Sequence, residues 1–203
     1  MIMDMGKQSR RLSRRERPGR NENGQIAELG QIVAPENDFD RRMMDTFIFN
    51  NISDLSSNPK IPTEALEASL GLTWTLRFAR SVDGVVRAAL NSHPPASLIN
   101  VCSPELRHPV RENLRLLEHL AVDVRYRRAG TAQRLINEAE TMHKSEGATL
   151  WFGFVDPPEF AALPFYRSVG FAEAADTSSI PDPTGALSQS ASAREGIWIY
   201  KTL

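Results

Sequence analysis

A turn rich in arginine could bind an anion at residues 125–132. The segment RYRRAGTA follows a run of leucines and precedes an amphipathic stretch. If a helix begins at its end, the unpaired N–H groups of the first helical turn and the helix dipole favour a negative charge there. Gly130 allows a close backbone approach, and the small side chains of Thr131 and Ala132 leave space for a ligand. The residue types and their order therefore predict a phosphate-binding turn.

The elements on either side decide whether such a helix exists. Periodicity alone leaves residues 114–124, LRLLEHLAVDV, open between a buried strand and a helix. From Ala132 onward, an apolar stripe at helical spacing predicts a helix of about three to four turns that ends before Gly147. ATLWFGFV, residues 148–155, is typical of a second buried strand. Strand, turn, helix and strand in this order form one βαβ crossover in a parallel sheet, which favours a strand for residues 114–124.

The N-terminal half predicts a strand, two helices and a hairpin in that order. QIAELGQIVA is compatible with a strand, PENDFDRRMMDTFIFNNISDL predicts one helix, and IPTEALEASLGL predicts a second with Thr63 as its N-cap. TWTLRFARSVDGVVRAALNS alternates apolar and polar residues before Asp83-Gly84 and indicates a β-hairpin. Residues 93–113 are rich in proline, so we expect them to be irregular.

The C-terminal residues predict one more pair of antiparallel strands. GIWIYKTL predicts a final strand, paired with one formed by FAEAA. Residues 176–195 between them are rich in Ser, Pro and Asp, and we expect disorder there rather than a mobile flap.

Composition is typical of one soluble domain. The 203 residues are 41% hydrophobic, without an apolar stretch long enough to span a membrane. The single cysteine, Cys102, excludes an internal disulfide framework and a zinc site built from several cysteines, and it fits a cytoplasmic location. Residues 1–24 carry seven Lys or Arg against three Asp or Glu and predict a disordered basic arm. The arm lacks the interleaved aromatic residues of a specific nucleic-acid binder, so nucleic acid is not a favoured partner.

Two motifs resemble those of one superfamily. Arg127, Gly130 and Ala132 form the pattern RxxGxA after LAVD, and AALPFYRSVGF, residues 161–171, is similar to AxxFYxxxGF. In this order they resemble the acetyl-CoA pyrophosphate loop and a second motif of the GNAT superfamily of N-acetyltransferases. The resemblance is clear over residues 114–171. The three-glycine spacing of a Rossmann dinucleotide site is absent.

The resemblance implies a fold and an activity. The expected fold class is α/β (α+β), with a GNAT-like central mixed twisted sheet of about six to seven strands flanked by about four helices, over residues 25–203. The expected activity is acetyl-CoA-dependent transfer of an acetyl group to a primary amine of a small molecule or protein, by direct attack in a ternary complex. Acetyl-CoA would be the cosubstrate, and no metal is expected. A GNAT-like module that binds an acyl-CoA or a protein without turnover is the alternative, and a homodimer is compatible with both.

The resemblance assigns the acetyl-CoA contacts to two segments. The pyrophosphate would be held by the turn, at Arg127, Arg128, Ala129, Gly130, Thr131 and Ala132. The pantetheine arm would pair with the main chain of three strand residues, Leu120, Ala121 and Val122, and an N–H near Val122 could hold the transition-state oxyanion. Two residues depart from the pattern of the superfamily, because many members have glycine at the position of Ala129 and asparagine at the position of Glu159.

Transfer to an amine requires a proton acceptor. A lysine-like amine with a reference pKa near 10.4 is neutral in only about one of 2,500 molecules at pH 7, which costs about 4.6 kcal/mol. We expect Glu118 to accept the proton, directly or through water. On a regular strand Glu118 faces away from His119, on the side of three apolar residues, Leu116, Leu120 and Val122. A bulge would break this parity, and an ion pair with one of the arginines is the alternative role for Glu118.

Departure of the CoA thiolate requires a hydrogen-bond donor. Tyr166 stands at the motif position where the superfamily commonly places its general acid. Reference pKa values near 10 for tyrosine and 8.5 for a thiol make complete proton transfer uphill by about 2 kcal/mol, so donation of a hydrogen bond is easier. Packing in the core with Phe165 and Phe171 is the alternative role for Tyr166.

Overall fold

A computed structural model describes residues 29–52, 72, 75–189 and 195–203. The basic arm predicted for residues 1–24 lies outside these residues. The helix predicted for IPTEALEASLGL, including Thr63, also lies outside them except for its last residue, Leu72.

Seven strands within the described residues form one mixed sheet in the spatial order β1-β2-β3-β4-β5-β7-β6. The strands are β1 (Ile32–Val33), β2 (Thr75–Arg80), β3 (Val86–His93), β4 (Leu114–Val122), β5 (Leu150–Val155), β6 (Ala172–Ala174) and β7 (Ile197–Thr202). β4 and β5 are parallel, and the other neighbours are antiparallel. The predicted mixed sheet, the βαβ crossover and the two antiparallel pairs are therefore confirmed.

Five α-helices connect these strands in the described part of the chain. They are α1 (Asp38–Asn51), α2 (Ala96–Val101), α3 (Pro104–Asn113), α4 (Thr131–Ser145) and α5 (Leu163–Ser168). Short 3-10 turns lie at Val124–Tyr126, Pro157–Ala162, Thr177–Ser179 and Leu187–Gln189. The side chain of Asn37 caps α1 by accepting the backbone N–H of Asp40 at 3.0 Å.

The proline-rich segment between β3 and β4 is helical, so the expectation of an irregular segment was wrong. Pro95 is the N-cap of α2 and Pro104 is the first residue of α3. A proline at the start of a helix sacrifices no intrahelical hydrogen bond, because the N–H groups of the first turn have no partner within the helix. The two short helices bury Leu98, Ile99 and Val110 against the sheet.

The helices cover the two faces of the sheet separately. On the first, the α4 face, α4 packs Leu135, Ile136 and Ala139 against strand residues that include Trp151. On the second, the α1 face, α1 packs Phe47 against the central strands, and α2 and α3 pack over β4 and β5. No helix of the described residues is long and apolar enough to cross a membrane.

The loop before β7 is ordered over residues 176–189, so the expected disorder was wrong for this part. Ile180, Ala186 and Leu187 are buried on the α1 face among residues of α2 and α3. The carboxylate of Asp182 accepts the backbone N–H groups of Thr184 and Leu187, each at 2.8 Å. A few apolar residues within a Ser- and Pro-rich sequence are therefore enough to anchor the segment. Residues 190–194 lie outside the described part of the chain.

Candidate functional site

β4 and β5 separate along their length and leave a wedge between them. They pair only from Leu114 to Leu117 on β4 and from Leu150 to Gly153 on β5. A Cβ atom at Gly153 would lie 3.0 Å from the carbonyl oxygen of Leu117, so glycine allows the last close approach of the two backbones. Beyond this point β4 continues beside β3 and β5 continues beside β7. We call the opening between residues 118–122 and 154–155 the β4–β5 cleft.

The main chain of β4 presents hydrogen-bonding groups to this cleft. The N–H of Asp123 donates to the carbonyl of Arg87 on β3, at 2.8 Å. N–H groups alternate in direction along a strand, so the N–H of Ala121 also faces β3, whereas those of Leu120 and Val122 face the cleft.

The turn after β4 is held in place by Asp123. Its carboxylate accepts the backbone N–H of Arg125 at 3.0 Å and pairs with the guanidinium groups of Arg125 at 2.7 Å and Arg87 at 3.1 Å. The hydrogen bond from Arg125, together with the charges of Arg125 and Arg87, holds the pKa of Asp123 below its usual value. Arg125 therefore fixes the shape of the turn.

Several backbone N–H groups at the start of α4 have no hydrogen-bond acceptor among the residues that the structure describes. Arg128 and Gly130 have left-handed conformations, with φ of 66° and 75°. Within the described residues, no acceptor is found for the N–H groups of residues 128–133, and the next N–H, of Arg134, donates to Gly130. A Cβ atom at Gly130 would meet nothing within 4 Å. Such a concave row of N–H groups at a helix N-terminus fits the oxygens of a diphosphate.

The residues of the turn differ in the contacts that their side chains make. Arg127 donates its Nε hydrogen to the carbonyl of Val122 at 3.0 Å and so ties the turn to the end of β4. Arg128 is exposed beside the row of N–H groups. Ala129 does not have a positive φ, so an alanine fits the backbone at this position without strain.

A bulge in β4 breaks the parity expected for Glu118. Asn91 of β3 pairs with His119 and Ser92 pairs with Leu117, which leaves Glu118 as the extra residue. Leu120 and Val122 pack on the α4 face, whereas Leu116 packs on the α1 face. The expectation that Leu116, Glu118, Leu120 and Val122 share one face was therefore wrong. Because Glu118 is the extra residue of the bulge, it lies beside His119 on the α1 face.

Polar side chains of β3 and β4 surround the Glu118 carboxylate. Its Oε2 accepts a hydrogen bond from Asn91 Nδ2 at 3.2 Å and lies 3.3 Å from His93 Nε2 and 3.8 Å from His119 Nδ1. The Nδ1 of buried His93 lies 2.7 Å from the carbonyl oxygen of Pro94, and this contact requires a proton on Nδ1. In the described residues the ionisable side chains beside the Glu118 carboxylate are therefore imidazoles, and Arg125 pairs with Asp123 instead.

Tyr166 lies on α5 and packs among aromatic rings of the α4 face. Its ring contacts Phe171 edge-on at 5.8 Å between centroids and Phe165 at 5.4 Å. Burial, and secondly the negative charge of Glu159, raises the pKa of Tyr166 to about 12. Compared with a thiol of pKa near 8.5, this makes complete proton transfer uphill by about 5 kcal/mol. The phenol can therefore only donate a hydrogen bond.

Sequence reasoning missed four residues beside the cleft. Asn91 and His93 were not recognised because they approach Glu118 only through the pairing of β3 with β4. Phe154 and Trp198 face each other on β5 and β7, with ring centroids 4.9 Å apart. The alternation in ATLWFGFV and GIWIYKTL is the signal that could have placed both rings on one face.

Comparison with known protein families shows which kind of domain the sequence resembles. Residues 97–173 match the sequence model described as "Acetyltransferase (GNAT) domain". Over these residues the chain is similar to a GNAT acetyltransferase domain. The matched segment includes β4, the turn, α4, β5 and α5, and therefore the whole cleft except its β3 and β7 neighbours.

Solved structures share the fold of this chain. A GNAT acetyltransferase from Staphylococcus aureus Mu50 superposes with a TM-score of 0.58 at 15% identity, over 85% of this chain and 98% of that one. Ard1 from Thermoplasma volcanium gives 0.54 at 12% identity, over 85% and 97%. N-acetylglutamate synthase from Neisseria gonorrhoeae, in complex with coenzyme A and N-acetyl-glutamate, gives 0.56 at 13% identity, over 89% of this chain and 36% of that one. No curated protein matches the sequence.

Proposed function

We propose that the chain is an N-acetyltransferase that uses acetyl-CoA to acetylate a primary amine. The row of N–H groups at residues 128–133, beside a cleft that exposes the main chain of β4, is the observation that carries this proposal. Two kinds of similarity support it: the GNAT domain over residues 97–173, and a fold shared with a synthase that was solved with coenzyme A and an N-acetylated product. A cytoplasmic location is part of the same proposal.

The turn and β4 would hold the cosubstrate. The diphosphate would be bound by the N–H groups of Arg128, Ala129, Gly130, Thr131 and Ala132, with the charges of Arg127 and Arg128 nearby. The pantetheine arm would pair with the cleft edge of β4. Because the N–H of Ala121 faces β3, main-chain contacts come from Leu120 and Val122, and Ala121 contributes packing only.

The chain's own groups would then accept one proton and stabilise two developing negative charges. Bound acetyl-CoA supplies the electrophilic thioester carbonyl, and the neutral amine attacks it directly. Glu118 takes the proton of the amine on the α1 face of the cleft, where Asn91 donates a hydrogen bond to its carboxylate. The N–H of Val122 donates to the oxygen that becomes negative, and Tyr166 donates a hydrogen bond to the departing sulfur.

Two measurements on the purified full chain test this function. Acetyl-CoA should raise the melting temperature, because a ligand that binds only the folded state stabilises it. A panel of primary amines should then release free CoA thiol in a time-dependent reaction. Stabilisation without thiol release from any amine would instead indicate the non-catalytic acyl-CoA module, and absence of both effects would refute the proposal.

A further inference from the structure

We propose that the acceptor amine carries an apolar, ring-sized group and no carboxylate next to its amine, and that Phe154 and Trp198 bind this group. The inference rests on the proposed acetyl transfer, because it concerns the second substrate of the same cleft. It is carried by the position of the two rings, by the support behind them and by the charges around Glu118.

The two rings lie where the cleft opens on the α1 face. Phe154 is the first β5 residue beyond the last parallel pair, Leu117 with Gly153, so it lies across the cleft from Glu118. Trp198 of β7 is its register partner and packs with the residues of the α1 face. Both side chains are partly exposed. An amine that reaches Glu118 from this face therefore places its substituent against Phe154 and Trp198.

The wall formed by the two rings is fixed before any ligand binds. The rings meet at 61°, and Phe152 supports Trp198 from the side at 6.1 Å between centroids. The Phe154 ring lies directly on the backbone at Gly196, where an added Cβ atom would approach ring atom Cε1 to 2.6 Å and the Val155 carbonyl to 2.8 Å. A flat, rigid, apolar surface of this kind binds another ring or a branched alkyl group with little loss of conformational freedom.

The charges beside the wall select against a carboxylate. Glu118 repels a carboxylate near the amine, and the ionisable side chains beside it among the described residues are the imidazoles of His93 and His119. Three cations of the neighbouring strands are turned to the α4 face, where Arg77 contacts Met142, Arg115 pairs with Glu146 and Lys201 pairs with Glu140. Two more are already paired, Arg80 with Asp40 of α1 and Arg87 with Asp123. A carboxylate-bearing acceptor would thus be buried next to an anion without a guanidinium or ammonium partner from these strands.

Two amines that differ only in a carboxylate give the sharpest test. With the full chain and saturating acetyl-CoA, kcat/KM for 2-phenylethylamine should exceed that for phenylalanine by at least about tenfold, and should also exceed that for spermidine.

Trp198→Ala should lower kcat/KM for 2-phenylethylamine by about tenfold or more, with little change in kcat/KM for methylamine or in the Kd of acetyl-CoA. Phe39→Ala, which removes an aromatic ring that is 60% exposed on α1, is the matched control. It should change neither kcat/KM for 2-phenylethylamine nor the preference for 2-phenylethylamine over phenylalanine.

Separate readouts distinguish failure of this inference from failure of the proposed function. Preference for phenylalanine or spermidine, or a Trp198→Ala variant with an unchanged preference, would overturn the inference while acetyl transfer stands. Equilibrium binding of 2-phenylethylamine to the CoA-loaded protein, observed by saturation-transfer NMR and lost in Trp198→Ala, would support the inference even if no amine were acetylated. Absence of such binding in the unsubstituted protein would overturn it.

Discussion

The surroundings of Tyr166 make its phenol less acidic than an ordinary tyrosine. The motif predicts a donor with an ordinary tyrosine pKa, whereas burial and the charge of Glu159 raise the pKa to about 12. The phenol therefore remains protonated at neutral and mildly alkaline pH. Its contribution to acetyl transfer is a hydrogen bond, and its own ionisation cannot produce a basic limb in the pH profile near neutrality.

The Tyr166→Phe variant isolates that hydrogen bond. It keeps the ring contacts with Phe165 and Phe171 and removes only the hydroxyl, so we expect kcat to fall at least about tenfold with little change in the Kd of acetyl-CoA. Steady-state kinetics and calorimetry measure the two quantities. Tyr200→Phe, a phenol of the α1 face, is the control that should retain activity. Full activity of Tyr166→Phe from pH 6 to 9 would assign Tyr166 to packing alone.

Glu118 shows what the sequence could not reveal about a single residue. The sequence predicted that Glu118 lies on a strand, but not the face of the sheet on which its side chain lies. Strand parity fails because a bulge lies opposite Asn91 and Ser92, and that register depends on β3, more than twenty residues away in the chain. The bulge also places His119 beside Glu118, although a regular strand would put them on opposite faces.

At the scale of elements, the crossover was predictable because its signals are local. Helical periodicity from Ala132 to Met142, a glycine before the helix and a second after it, and two flanking apolar runs all indicate the same βαβ unit. The helices α2 and α3 were missed because their prolines were taken as signs of irregular structure. Pro95 and Pro104 instead stand at helix starts, and only Pro109 lies inside α3. Burial of Leu98 and Ile99 stabilises α2, and burial of Val110 stabilises α3.

The start of α4 should bind the cosubstrate, and a pair of glycines tests this. Gly130 and Gly147 have left-handed φ values of 75° and 83° at opposite ends of α4, and an added Cβ atom meets nothing within 4 Å at either. Asp tolerates this conformation better than most residues, so both Asp substitutions should fold. Gly130→Asp should raise the Kd of acetyl-CoA at least about tenfold, because its charge faces the diphosphate.

Gly147→Asp controls for the backbone conformation and the added charge, and its Kd should stay close to that of the unsubstituted protein. Isothermal titration calorimetry measures both variants. Equal affinities for the two variants would remove the α4 N-terminus from the cosubstrate site.

The whole molecule carries a pH-sensitive element that lies apart from the cleft. His143 of α4 is fully buried, and its Nε2 lies 3.0 Å from Ser92 Oγ, which also accepts Trp151 Nε1 at 3.0 Å and donates to the Leu116 carbonyl at 2.9 Å. Desolvation, followed by the charges of Arg115 and Arg77, lowers the pKa of His143 to about 3. Because Ser92 donates its own hydrogen to Leu116, His143 donates the Nε2 hydrogen to Ser92 Oγ, and these contacts join α4, β3 and β5.

His143 should therefore make the free energy of unfolding fall more steeply as the pH is lowered. The unfolded chain binds a proton on this residue below about pH 6.5 and the folded chain does not, so the stabilisation is complete above that pH and declines by about 1.4 kcal/mol per unit as the pH falls toward 3. Urea unfolding at pH 7, 6 and 5 should show a loss that is about 2 kcal/mol smaller in His143→Gln than in the unsubstituted protein. His108→Gln, at an exposed position, is the control, and equal slopes for His143→Gln and the unsubstituted protein would contradict the assignment.

The central claim concerns the β4–β5 cleft and the N–H groups at the start of α4. A crystal structure of the full chain with coenzyme A tests it most directly. The account predicts diphosphate oxygens within hydrogen-bond distance of the N–H groups of residues 128–132, and a pantetheine arm along Leu120 and Val122 that points to Glu118. Coenzyme A bound elsewhere, or protein groups bound to those N–H groups in its presence, would contradict the account.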